Sequence, residues 1–595
     1  MNTSRVARWL APLLVALLAV LAFAPALANG LVDFDDEFLL VRNEHYHGLG
    51  LNELGWMFST RLMGHWQPLT WISFGFDWIV AHGDPAQFHR TSIVIHAANA
   101  ALCVLLARRL LALARPHAAR EHPLRLEFAA GVSALVFAVH PLRVESVAWA
   151  TERRDVLSTC FLLLAALAYL ASVRPGESAL VSRKAWIVSI LALVLSLLSK
   201  AWGMSFVCVT IVLDVYPLRR LAPDPRTWFA NDKRAVWWPK LPYLVLGLGA
   251  AAMANWSIHA AQGTVKSFEE WSLVSRCAQA ASGLLFYVQK TLWPTGLAAL
   301  YEIPRDFDPL APARIADFIA LALGTLLIIW QRRRLPALAA AGALYVLVVA
   351  PVLGFVQSGP QFVADRYSYV SCLGWAMCAG AGAWLAWERS SAAWMRGAFA
   401  LFLLALFAVS FQLTRAQTRT WHDKESLWTN VLAVQPECSI AHRNLALVLL
   451  ERGEIESGLQ HLHEALRSDP HNADAWFTQA RVEEQRKDWS AAAEAWREAA
   501  RWSVPAWPQW MGLGRVQRDG LGQLDQAILS FRAAVEDLEH GPRATFSPRP
   551  HLVLGQALAA RGSKDEARKE LEIALRYALT AAEAQESLRE LDPRH

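Results

Sequence analysis

The chain has 595 residues, 54% of them hydrophobic, and a mean hydropathy of +0.24. Its net charge of +5 is spread over many loops, which excludes the concentrated basic face that a nucleic-acid partner needs. Seven cysteines form no CxxC pair. Most of them (Cys103, Cys160, Cys208, Cys372) lie in or beside apolar runs, so they read as small apolar residues and not as a disulfide or metal framework.

Two composition regimes follow one another. From Met1 to about Leu413, long apolar runs alternate with short basic or turn-rich connections; from about His422 to His595 the chain is polar and rich in Ala, Glu, Arg and Leu. The expected fold is all-α: a transmembrane bundle over 1–420, followed by an α-solenoid over 421–595. At the N-terminus Arg5 and Arg8 precede an apolar run ending in PALANG, which has the look of a cleavage site. The run from Trp9 to Leu27 is nevertheless of spanning length, and it is read as an uncleaved first helix. The segment after it is exported in either case.

In chain order the predicted spans are 9–28, 89–107, 126–142, 155–173, 185–199, 201–217, 240–258, 313–331, 337–356, 368–387 and 394–413, about eleven in all. Short cationic clusters fall at Arg108/Arg109/Arg115, Arg174/Arg183/Lys184, Arg219/Arg220/Lys233/Arg234, Arg332/Arg333/Arg334 and Arg389/Arg396. Putting each cluster in the cytoplasm makes the helices alternate without conflict, with the C-terminal domain outside; Arg415 and Arg419 break the rule mildly. The stretch 272–292 carries Arg276, Gln279 and Gln289 and is read as a helix on the outer interface. Tryptophans at run ends (Trp186, Trp202, Trp237, Trp238, Trp293, Trp421) read as interfacial belts. The first loop 29–88, the corner 140–155 and the loops 258–312 and 357–367 then face outward.

In the polar regime Ala446, Ala480 and Gly514 recur every 34 residues, as do Ala465, Ala499 and Ala533, and Pro436 and Pro470 share the spacing. Gly555 and Ala574 continue both series after one insertion around 540–548. Paired helices need small residues at those two phases, so about four tetratricopeptide repeats are expected, with a groove for a peptide or partner surface.

Four polar constellations carry the chemistry. The acidic turn Asp33, Asp35, Asp36 and Glu37 follows the first helix directly; a carboxylate there can take a proton from a hydroxyl, or be a solvated turn. The corner His140, Glu145, Glu152, Arg153, Arg154 and Asp155 is costly at a membrane edge unless internally paired or engaged with a polar substrate; arginine pairs suit phosphate oxyanions. Lys200 interrupts an apolar stretch, to meet an anionic headgroup or to snorkel. Arg366 and Tyr367, in FVADRYSYV, offer a further phosphate contact or an interfacial anchor. Histidines 45, 47, 65, 82, 89 and 96 raise a divalent metal, which is not favoured because no HExxH or Cys/His set accompanies them. No Walker loop, dinucleotide fingerprint or GxSxG is present.

The motifs FDDEFLLVRN, GHWQPLTWISFGFDWIVAHGDPAQFHRTSIVIHAANAAL, HPLRVESVAWATERRDVLS, SKAWGMSFVCVTIVLDVYPL, TLWPTGLAALYEIP and ADRYSYV appear in order over most of 30–380. In this the chain resembles the transmembrane and tetratricopeptide-repeat-containing O-mannosyltransferases and their bacterial relatives, of the GT-C superfamily of membrane glycosyltransferases. The resemblance implies a polyprenyl-phosphate-linked sugar as donor and inverting transfer of a hexose to Ser/Thr hydroxyls. Asp35 and Asp36 match the family's acidic pair, one of them the general base. Arg153, Arg154, Lys200 and Arg366 would offset charge growing on the leaving phosphate, and Glu145 and Glu152 would hold the sugar or orient those cations. His140 and Tyr367 join the expected donor site. The protein is expected in a bacterial inner membrane, with the first loop and repeats periplasmic. Competing readings are a glycan or lipid acceptor, and a non-catalytic scaffold that works through its repeats.

Overall fold

The computed structural model describes residues 3–260, 266–357, 359–541 and 547–591. Residues 542–546 of the predicted insertion, 261–265 of the 258–312 loop and Ser358 of the 357–367 loop lie outside the described residues. Two compact units divide the chain, Met1–Asn430 and Val431–His595. The first therefore runs past the 420/421 boundary read from composition. The start of helix Lys424–Val434 packs with it: Trp428 is buried and its indole N–H donates to Asp33 at 3.0 Å.

Among the described residues the first unit is helical, apart from a ribbon pairing Tyr301–Glu302 with Gln361–Val363. Six helices among the described residues are long and apolar enough to cross a membrane: Trp9–Ala28, Pro85–Ala114, Arg153–Ser172, Asn231–His259, Pro312–Gln331 and Ala393–Arg419. Two more candidates are bent pairs, Pro123–Ala138 with Pro141–Ala148 (57°) and Asp365–Ser371 with Leu373–Arg389 (58°). The remaining predicted spans are helices too, but shorter: Arg183–Ser199, Ala201–Val215 and Pro336–Val352. At 17 residues the first of these would reach only ~26 Å at ~1.5 Å per residue, short of a ~30 Å hydrocarbon core. Lys200 is the cause. Its extended backbone (φ −160, ψ 151) cuts one apolar run into two short helices.

The apolar window of Pro312–Gln331 buries nothing, leaving Leu323, Leu326 and Trp330 exposed. Patches of that size associate in water, whereas lipid satisfies them. Trp238 and Trp293 are exposed as belt residues should be, but Trp202 and Trp421 are buried and belong to internal packing. The arginine that argued against a span in 272–292 is internal as well. Within helix Leu273–Leu292, Arg276 is buried and donates to the carbonyls of Phe355 and Lys266, each at 2.8 Å. It therefore has no need to reach water.

The outer corner predicted at 140–155 is not a surface loop: every residue from Phe137 to Val156 is buried. Val144–Ala148 forms a short helix wedged between its neighbours, and the following turn delivers Glu152 to the foot of Arg153–Ser172.

The second unit stacks four helix pairs: Ser439–Glu451 with Ile455–Ser468, Ala473–Arg486 with Trp489–Trp502, Trp507–Arg515 with Leu524–His540, and Arg549–Arg561 with Lys564–Leu575; Ala581–Leu591 covers the end. Ala446, Ala480, Ala465, Ala499 and Ala574 are fully buried at the helix crossings. One expected position shifts: in the third repeat Ala534 is the fully buried residue, while Ala533 is only half-buried. A π-turn, Val516–Gly520, extends that repeat's first helix. The extra residue it takes up moves the second helix out of phase by one.

Helix Leu373–Arg389 lies so close to Pro123–Ala138 that a Cβ at Gly380 would strike Ser133 Oγ and the Ala129 carbonyl. We expect Gly380→Ala to lower stability by about 1–3 kcal/mol, as overpacking does. Thermal unfolding in detergent would show this as a lower midpoint than Gly382→Ala, whose Cβ meets open space.

Candidate functional site

The acidic turn is held by aromatic packing. Phe34 stacks on Trp149 at 4.8 Å and meets Trp428 edge-on at 5.7 Å, while Trp149 stacks on Trp421 at 5.6 Å. The turn is thereby pressed onto the end of the buried corner.

The two adjacent aspartates are then treated differently. Asp36 Oδ1 accepts from the Thr151 amide at 3.0 Å and from the Thr151 hydroxyl, and Oδ2 accepts from the Val32 amide at 3.1 Å. Burial pushes its carboxyl up to about 7, although these bonds work against the shift. The Asp35 carboxylate accepts no hydrogen bond among the described residues and is only half-buried. Burial raises it to about 6, against the opposing pull of Arg154 and Arg366. Asp35 is the carboxylate of the pair with free lone pairs.

Facing it is a set of charges converging on Glu152, which has no solvent exposure. Arg154 donates to its Oε1, Lys200 Nζ lies 2.8 Å from Oε2, and Arg366 Nε is 3.7 Å from Oε1. Burial alone would raise Glu152, but Arg154, Lys200 and Arg366 outweigh it and hold the carboxyl well below its usual range. Lys200 also pairs with Asp155 at 2.7 Å, which in turn accepts from Trp202 Nε1 at 2.6 Å and Ser146 Oγ at 2.9 Å. Glu145 takes the Arg366 amide at 2.6 Å and its guanidinium. Arg154 Nη1 is buried and has no hydrogen-bond partner among the described residues, so a cationic NH2 group with two N–H donors remains to be met.

Of the residues expected from sequence, Asp35, Asp36, Glu145, Glu152, Arg154, Lys200 and Arg366 come together here. Tyr367 joins at the edge, its ring 5.0 Å from the Arg366 guanidinium carbon. Two do not join. Arg153 is fully buried against Asp77 at 2.5 Å and donates to the Phe88 carbonyl at 2.8 Å, tying its helix to neighbouring segments. His140 binds the Thr291 carbonyl at 3.0 Å and caps the Leu142 amide, a clip between the bend and helix Leu273–Leu292. Neither is free to hold a donor, and Lys200 is ion-paired instead of snorkelling.

The histidines do not form one cluster: His47 stacks on Trp78 at 3.4 Å, His45 stacks on Trp56, His89 meets the Gly30 carbonyl, and His96 contacts Tyr369 OH at 2.7 Å. His65 alone of them comes near the charges on Glu152: burial, Arg154 and Lys200 hold its imidazole well below the usual range. Sequence reasoning missed Thr151, the anchor of Asp36, and Trp202, a partner of Asp155. A lone threonine carries no signal of its own, and Trp202 was read as an interfacial anchor.

Comparison with known proteins bears on these residues. Residues 444–509 match the tetratricopeptide repeat model. The chain is 23% identical over 557 residues to protein O-mannosyl-transferase Tmtc3 of Drosophila melanogaster, covering 84% of this chain and 58% of that one. It is likewise 23% identical over 454 residues to human protein O-mannosyl-transferase TMTC1, covering 69% of this chain and 48% of the relative. This chain thus spans about half the length of the curated relatives it matches. Among solved structures, YrrB, a TPR protein with an unusual peptide-binding site, is 21% identical at a TM-score of 0.23, covering 28% of this chain and 93% of that one. The likeness read from the motifs holds across most of the chain.

The unequal bonding of the aspartates is testable as stability. Asp36→Ala strands the Thr151 and Val32 donors and is expected to cost about 2–4 kcal/mol. Asp35→Asn should cost under about 1 kcal/mol, since no bond is lost. Thermal melts of the two variants in the same detergent check the order; equal losses would contradict it.

Proposed function

We propose that this relative of the transmembrane and tetratricopeptide-repeat-containing O-mannosyltransferases is an inverting glycosyltransferase. On this reading it transfers a hexose from a polyprenyl-phosphate-linked donor to Ser or Thr hydroxyls of exported proteins. The observation that carries the reading is that Asp35, whose carboxylate accepts no hydrogen bond among the described residues, feels the charge of Arg154, whose Nη1 is buried without a partner among them.

In the proposed reaction the acceptor hydroxyl oxygen forms a bond to the anomeric carbon and Asp35 takes the hydroxyl proton. The bond from that carbon to the lipid phosphate breaks on the opposite face, its electron pair leaving with the phosphate. Inversion follows from the single displacement. Arg154, Lys200 and Arg366 are the cations to meet the growing phosphate charge, preset by Glu152 and Glu145 so that no reorganisation is needed at the moment of reaction. Asp36 positions the turn. A protein acceptor is supported by the names of the relatives, and its recruitment falls to the repeat unit. The alternation of cationic clusters supports a periplasmic first loop and repeat unit in a bacterial inner membrane.

Asp35→Asn is expected to abolish hexose transfer from a polyprenyl-phosphate donor, read by mass spectrometry of envelope proteins, while the chain keeps its fold and abundance. Full activity of that variant would remove Asp35 as the base. The base must be deprotonated, so transfer by the parent chain should fall about tenfold per pH unit below about 6 and level off above it. Arg154→Gln should raise the donor KM more than it lowers acceptor binding.

A further inference from the structure

The inner face of the repeat unit carries a groove of about 670 Å3, built on helices Ala473–Arg486, Trp507–Arg515 and Arg549–Arg561. Its apolar floor includes Phe477, Trp489 and Trp496. Its charge is one-sided: Arg481, Arg515, Arg518 and Arg549 line it, with Glu484 as the one lining carboxylate among the described residues.

Arg481 and Arg515 occupy equivalent positions in successive repeats, 34 residues apart. Arg481 lies 6.0 Å from the Phe477 ring and pairs with no carboxylate among the described residues. Arg515 is already bonded to both carboxylate oxygens of Glu484, at 2.9 and 2.8 Å, while Arg518 and Arg549 pair with Asp519 and Glu583, both more than half exposed. Pairs of that kind are worth about 0–1 kcal/mol and exchange readily for another carboxylate. The concentration of cations is local, because Asp and Glu outnumber Lys and Arg across 431–595. A broad anionic surface would be repelled by the rest of the unit, whereas a narrow acidic segment inside the groove would not.

We propose that this groove binds an extended acidic peptide segment of a partner protein. Asp or Glu side chains would bond to Arg481 and Arg549, and interleaved apolar side chains would rest on Phe477 and Trp489. Guanidinium groups suit the role because their planar fork takes a carboxylate through two hydrogen bonds, and an aromatic floor adds burial with little side-chain ordering cost. The proposal deepens, and rests on, the reading of the repeats as the recruiting half of the protein; it gives the partner a chemistry.

The test is fluorescence anisotropy with the full chain in nanodiscs and a short labelled peptide alternating Glu and Leu. Binding is expected to weaken about tenfold when Gln replaces Glu, about 1.4 kcal/mol, and to weaken with added salt. Arg481→Gln and Arg549→Gln, both at exposed positions, should each weaken it about three- to tenfold without moving the melting midpoint. Equal binding of the Gln peptide, failure of the acidic peptide to bind, or its displacement by phosphatidylglycerol vesicles would overturn the proposal. No sugar donor is present, so inactivity of the chain as a transferase leaves this result intact. A chain that transfers sugar but ignores the acidic peptide overturns the groove alone.

Discussion

Glu152 carries the tightest constraint in the first unit. A carboxylate removed from water costs several kcal/mol unless opposite charges meet it in good geometry, and this one is met by Arg154, Lys200 and Arg366. Those cations come from separate interruptions of the helical bundle. Arg154 follows the turn that ends the buried corner, Lys200 is the extended residue between two short helices, and Arg366 lies in the bend before Leu373–Arg389. Each interruption would be a defect alone. Together they close on one carboxylate, and the polar groups that helix breaks expose within an apolar bundle are satisfied by each other.

That closure also explains how much of the site the sequence could show. The spans were legible because apolar length and flanking charge act locally, residue by residue along the chain. The pairings Arg366–Glu145, Lys200–Glu152 and Arg153–Asp77 join residues far apart in sequence, and periodicity holds no record of such distances. Arg153 and Arg154 show where local geometry would have helped. Neighbouring residues in a helix point roughly 100° apart, so two adjacent arginines in a first turn do not serve one ligand. One faces Asp77 and the other Glu152.

The repeat unit failed more gently. Its period was visible because every repeat packs the same small residues at the same crossing, and the buried Ala446, Ala480, Ala465 and Ala499 bear that out. The π-turn Val516–Gly520 was not visible: it adds a residue without a glycine–proline signature and without changing polarity. The burial of Ala534 in place of Ala533 is the trace it leaves.

The acidic pair joins local sequence to distant packing. Asp35 and Asp36 are chemically identical neighbours, and what separates them is which group each reaches. Asp36 has both oxygens occupied by Thr151 and Val32, so protonation must compete with three donors. Asp35 has none occupied and faces Arg154 and Arg366. The difference exists only while Thr151 stays under the turn, and it stays there because Phe34 stacks on Trp149 and Trp149 on Trp421. A carboxylate becomes available as a base when its neighbour is fully engaged elsewhere. In this chain that engagement depends on an aromatic stack whose far end, Trp421, lies near the close of the first unit, and not on the acidic motif itself.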